Sequence, residues 1–111
     1  MENAFMVPIL PGKTEAALAF ARTLSEERRA DMDQAQVSVT KESWFLQRTP
    51  IGDFLIVYVV SPDPMAVHVA LAESQEPFDL WFKEQVLDIS GLDISTPMPE
   101  LPVQVLDWSR S

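Results

Sequence analysis

The sequence predicts an α+β domain in which strands and helices follow the order βαββαβ and four strands build one antiparallel sheet. Three observations predict it. A short apolar segment is closed by Pro11-Gly12, an Ala-rich amphipathic segment follows it, and a β-branched and aromatic stretch is split by a Pro/Gly turn. With 111 residues the chain has the size of one domain, spanning 1–111, and is too short for two separate cores.

The first strand is Ala4-Phe5-Met6-Val7-Pro8-Ile9-Leu10. Pro8 lacks an amide proton for a central ladder, so it places this strand at an edge or a bulge. From Lys13 to about Ala30 the residues are helix formers, with Ala17, Phe20, Ala21 and Leu24 on one face and Glu15, Arg22, Glu26 and Arg29 opposite. Val37 to Gln47 and Phe54 to Val60 then read as a hairpin joined through Thr49-Pro50-Ile51-Gly52-Asp53. The second helical region is split in two. Asp63-Pro64 supplies an N-cap and a preset first position for a short helix to about Glu73, and Pro77 opens another that Gly91 ends as a left-handed cap. In it Phe78, Trp81, Phe82, Val86 and Ile89 recur at helical spacing, while Asp79 and Lys83 are expected to form an outward i,i+4 pair. A proline-rich stretch from Ser95 to Pro102 precedes Val103–Trp108, whose alternation predicts the fourth strand.

This order is the ferredoxin-like arrangement, a four-stranded sheet with its helices on one face. The other face is left bare. In the strand from Phe54 to Val60 both faces are apolar, with Phe54, Ile56, Tyr58 and Val60 on one and Leu55, Val57 and Val59 on the other. Leaving one set in water forgoes roughly 1.5 to 3 kcal/mol per side chain, a sum comparable with the ~5 to 15 kcal/mol by which a domain is stable. Either a second copy covers that face, making a homodimer, or the proline-rich segment folds across it.

Eight Lys and Arg against seventeen Asp and Glu give a net charge of -9, which repels phosphate backbones and anionic head groups. Neither nucleic acid nor membrane is an expected partner. The N-terminal residues lack a secretory pattern and no apolar run approaches the ~20 residues of a spanning helix, so a cytoplasmic location is expected. With no Cys, thiolate metal sites and cysteine nucleophiles are excluded, and a single His excludes a multi-histidine site within one chain. Gly12, Gly52 and Gly91 are too far apart for a phosphate loop, no Ser lies in a nucleophile elbow, and Asp31 with Asp33 reads as a solvated helix end rather than a calcium loop.

Pro11-Gly12-Lys13 opening a helix, Trp44-Phe45-Leu46-Gln47 leading to Thr49-Pro50 and Gly52-Asp53, and Pro77-Phe78-Asp79 before Trp81-Phe82 resemble the dimeric α+β barrel superfamily. Within it the likeness is to small bacterial proteins described as antibiotic-biosynthesis-monooxygenase-like, a group largely without assigned function. It runs from Phe5 to about Asp93. The resemblance implies a homodimer with its sheets face to face and a cavity between sheet and helices in each protomer. Some members oxidise aromatic polyketides without a cofactor, some degrade haem, and others bind ligands. The oxidising members use Asn, Trp, Tyr or His in the cavity, and the haem-degrading branch an Asn near the first strand, where Asn3 stands here, and a His ligand.

The candidate catalytic residues are His68, Glu42 and Tyr58. His68 shares a helical face with Leu71 and Pro64, where a ring titrating near ~6.5 suits a base or an axial ligand; the alternative is a neutral imidazole bonded to a carbonyl. Glu42 shares strand parity with Trp44 and Leu46, so it projects into apolar surroundings that favour proton transfer, or else sits solvated at the barrel rim. Tyr58 supplies a hydroxyl to that space if its ring faces the helices, and lies at the dimer interface if not. Trp44 and Trp81 offer planar stacking surfaces and indole donors, or serve only the core; with Phe78 they form the candidate ligand-binding set. The expected function is binding of a hydrophobic or aromatic molecule, with oxidation independent of any cofactor. A non-catalytic binding or interaction protein is the alternative, and haem binding the third reading.

Overall fold

The computed structural model describes residues 1–110. The run Phe54–Val60 forms the middle of a sheet of β1 (Glu2–Pro8), β2 (Lys41–Thr49) and β3 (Gly52–Val60), in the order β1-β3-β2 with both pairings antiparallel. β1 is an edge strand, as Pro8 requires. β2 and β3 make the expected hairpin, though β2 begins at Lys41; Val37 to Thr40 form a turn and bend before it. Asp53 at the start of β3 accepts from the Thr14 hydroxyl at 2.7 Å, which ties the hairpin to α1 (Thr14–Ser25).

Four helices accompany the sheet: α1, α2 (Arg29–Ala35), α3 (Pro64–Glu73) and α4 (Pro77–Ser90). The single helix expected to about Ala30 is thus broken. α1 ends at Ser25, and the Arg28 amide reaches back to the Thr23 carbonyl at 2.8 Å. Arg28 gains by the break, its guanidinium stacking 4.4 Å from the Trp81 ring centroid and pairing with Asp31 at 2.7 Å. Asp31 and Asp33 therefore lie inside α2, each paired with an arginine. The starts and stops of α3 and α4 follow their signals. Asp63 accepts the Ala66 amide at 3.1 Å ahead of Pro64, and Gly91 ends α4 at φ 77°, a conformation costly for any residue with a Cβ.

Leu55, Val57 and Val59 are buried beneath the helices, and Phe20 of α1 sits at the hub of an aromatic cluster, with ring centroids 5.6 Å from Trp44, 5.5 Å from Trp81 and 5.3 Å from Phe82. The opposite face of the sheet carries no helix; on it Met6 is 59% and Phe45 57% exposed. Two expectations are corrected. The fourth strand is absent among the described residues: Val103–Trp108 forms no ladder, and the chain before Val103 is drawn to the helix side by the bonds from Asn3 to Pro102 and from Met98 to His68. Lys83 does not form an outward pair with Asp79. It is 5% exposed and donates to the Ala72 and Ser74 carbonyls at 3.0 and 2.9 Å, so its charge meets the negative end of α3.

Candidate functional site

On its helix side the sheet forms the floor of a cavity of about 830 Å³, within the range of small-molecule sites. Asn3, Phe5 and Val7 of β1, Glu42 and Trp44 of β2, and Leu55, Val57 and Val59 of β3 make this floor, as their pairing registers dictate. Met32, Ala35 and Gln36, in α2 and just after it, form one wall, and Phe78, Phe82, Val86 and Ile89 of α4 another. α3 supplies Pro64, Val67, His68 and Leu71, and a strap from Leu92 to Val103 completes the lining.

α3 explains why this space stays open. Its sequence is apolar nearly all round, yet only Ala72 is buried; the helix lies over the cavity rather than filling it. The strap is held by two side chains. Asn3 Nδ2 donates to the Pro102 carbonyl at 3.2 Å, and the Met98 amide donates to His68 Nε2 at 2.9 Å. His68 is therefore neutral with its proton on Nδ1, and burial lowers its pKa below the ordinary imidazole value. Its partner is a backbone amide, not a carbonyl. The proline-rich segment thus lines the cavity instead of crossing the open face of the sheet.

Glu42 is the polar centre of the floor. Its half-buried carboxylate accepts from Trp44 Nε1 at 2.6 Å and from Gln36 Nε2 at 2.9 Å. No basic side chain pairs with it among the described residues. Two neutral donors orient this carboxylate, in a floor that also carries Asn3 and is otherwise of Val, Leu and aromatic groups.

Of the candidate residues, the structure brings His68, Glu42, Trp44 and Phe78 to one cavity. Tyr58 stands apart, on the open face of the sheet, where its hydroxyl donates to the Glu2 carboxylate; that bond, then desolvation and the negative charge of Glu2, raise its pKa. Trp81 is packed between Phe20, Phe78 and the Arg28 guanidinium and does not line the cavity. Gln36 and Met98 hold the two polar candidates in place, and nothing in their sequence surroundings marked them. Gln36 reaches Glu42 across the turn before β2, and Met98 reaches His68, 30 residues earlier in the chain, through its backbone amide.

No protein-family model matches the chain, and no curated protein or solved structure matches it. No helix among the described residues is long and apolar enough to cross a membrane, and no cluster of three or more metal-ligating side chains occurs among them.

Proposed function

We propose that the protein is a homodimer, of the dimeric α+β barrel kind, that binds a hydrophobic small molecule in the cavity between sheet and helices. The observation that carries the reading is the 830 Å³ space itself, walled mostly by aromatic and aliphatic side chains and with the Glu42 carboxylate oriented in its floor. Of the expected readings, non-catalytic binding fits the geometry best. Both candidate proton carriers in the cavity are engaged within the chain, Glu42 with two donors and His68 Nε2 with the Met98 amide. Oxidation of the bound molecule would require one of these bonds to open. Haem does not fit: an iron ligand at His68 Nε2 competes with the Met98 amide, and no Lys or Arg among the described lining residues stands ready for propionates.

Two features support the dimer. β3 presents Phe54, Ile56, Tyr58 and Val60 on the face without helices, beside the exposed Met6 and Phe45, and the proline-rich segment does not cover them. The sheet order β1-β3-β2 is also that of a ferredoxin-like sheet lacking its fourth strand at the β1 edge.

Binding is tested by titrating Nile red, a neutral hydrophobic dye, into the protein and into a Val67→Trp variant whose indole occupies the space under α3. Saturable one-site binding lost in the variant, with helical circular dichroism retained, supports the reading. Equal binding by both proteins would move the dye elsewhere and overturn it.

A further inference from the structure

The charge around the cavity narrows the class of ligand. Glu42, Asp79 and Glu100 line it, and no Lys or Arg does among the described residues. The protein has only eight basic side chains. Lys13, Arg28, Arg29 and Arg48 are each paired with an aspartate, Arg28 from outside the wall, 5.0 Å from the ring centroid of the lining Phe78; Lys83 is turned to the carbonyls at the end of α3, and Arg22, Lys41 and Arg110 do not line the cavity. His68, the remaining group able to carry positive charge there, is held neutral by the bond from Met98 and by burial. An anion entering this space would give up its hydration for no counter-charge, inside a molecule already at -9.

Glu42 presents the opposite case. A carboxylate offers about four acceptor positions, and Gln36 and Trp44 use two of them. Glu42 lines the cavity opposite Val59 in the ladder, and next to it on the same face of β2 stands Trp44, opposite Val57 and with its ring centroid 6.3 Å from that of Phe82. A ligand ammonium donating to Glu42 would supply the charge partner that the chain itself lacks, with its apolar body lying over these side chains.

We propose that the cavity takes lipophilic amines, with the ammonium head on Glu42 and the hydrocarbon or aromatic body along Trp44, Phe82 and the floor of β3, and that it discriminates against carboxylates of the same shape. The proposal rests on the reading of the cavity as a small-molecule site and adds the sign of charge it selects.

The test uses three probes with one tail, decylammonium, decanol and decanoate, titrated calorimetrically at pH 7.5 and below their aggregation limits, in 0.15 M and 0.5 M salt. Decylammonium is expected to bind roughly tenfold tighter than decanol, the scale of one charge-assisted hydrogen bond in a partly desolvated site, and decanoate the weakest. Glu42→Gln, whose fold is checked by circular dichroism, should bring decylammonium to within about threefold of decanol measured on the same variant. The preference should persist at 0.5 M salt, where attraction to a diffuse surface charge is screened. Equal binding of all three probes, tighter binding of decanoate, or an amine preference that survives Glu42→Gln overturns the charge selection while leaving the cavity reading intact. Failure of all three to bind overturns both.

Discussion

Replacing Trp44 by Phe removes one hydrogen bond from the centre of the proposed site and leaves most of the ring packing. The indole N–H donates to Glu42 at 2.6 Å, and a neutral donor to a carboxylate contributes about 1.5 to 3 kcal/mol when both are shielded from water. Both residues are half-buried, so water can replace part of the bond and about 1 to 2 kcal/mol is the reasonable share. The smaller ring also gives up apolar burial worth roughly 0.5 to 1 kcal/mol, while a phenyl at this position still meets Phe20 and Phe82. The sum is about 1.5 to 3 kcal/mol, read from urea unfolding followed by circular dichroism with an unchanged m-value. The double-mutant cycle with Glu42→Gln separates the two parts, and a coupling of about 1 kcal/mol is expected. A single-variant cost below about 0.5 kcal/mol together with zero coupling would refute the view that Trp44 fixes Glu42.

Three further perturbations probe other parts of the account. Burial lowers the pKa of His68 in the folded protein, so folding is favoured by the neutral ring: that stability is fully present above the unfolded value near ~6.5 and is lost as pH falls through the folded pKa. Melting temperature should therefore drop more steeply between pH 7 and pH 5 for the native protein than for His68→Ala, and parallel curves would contradict the role of the Met98 bond. Asp63→Ala removes the cap on α3 at a cost of about 1 kcal/mol, which hydrogen exchange should register as faster opening of α3 before any other helix. Phe45→Glu places a charge on the open face, on β2 beside Ile56 of β3; sedimentation should show a monomer with native circular dichroism, and an undisturbed dimer would exclude that face as the interface.

Much of this architecture was legible in the chain. The parity of Phe54–Val60 assigned its two faces correctly because strand periodicity is strict, and Asp63-Pro64 and Gly91 marked helix ends because caps act through local backbone geometry. The same parity put Glu42 and Trp44 on the cavity floor. What was not legible depended on partners distant in sequence. Lys83 follows Asp79 by four residues and reads as half of a surface pair, yet the end of α3 draws it inward. Val103–Trp108 alternates like a strand, but alternation sets which face a residue takes and not whether an edge is there to receive it. The turn that divides α1 from α2 brings Arg28 over Trp81, a contact between distant segments that no single-helix pattern encodes.

Native mass spectrometry of the protein, purified gently from the cells that make it, tests the central claim most directly because one spectrum reports assembly and retained ligand together. The account predicts a dimer carrying an additional small-molecule mass for each occupied cavity, released on raising the collision energy. A bare dimer that also takes up no hydrophobic probe would contradict the binding site, and a monomer would contradict the burial of the open sheet face.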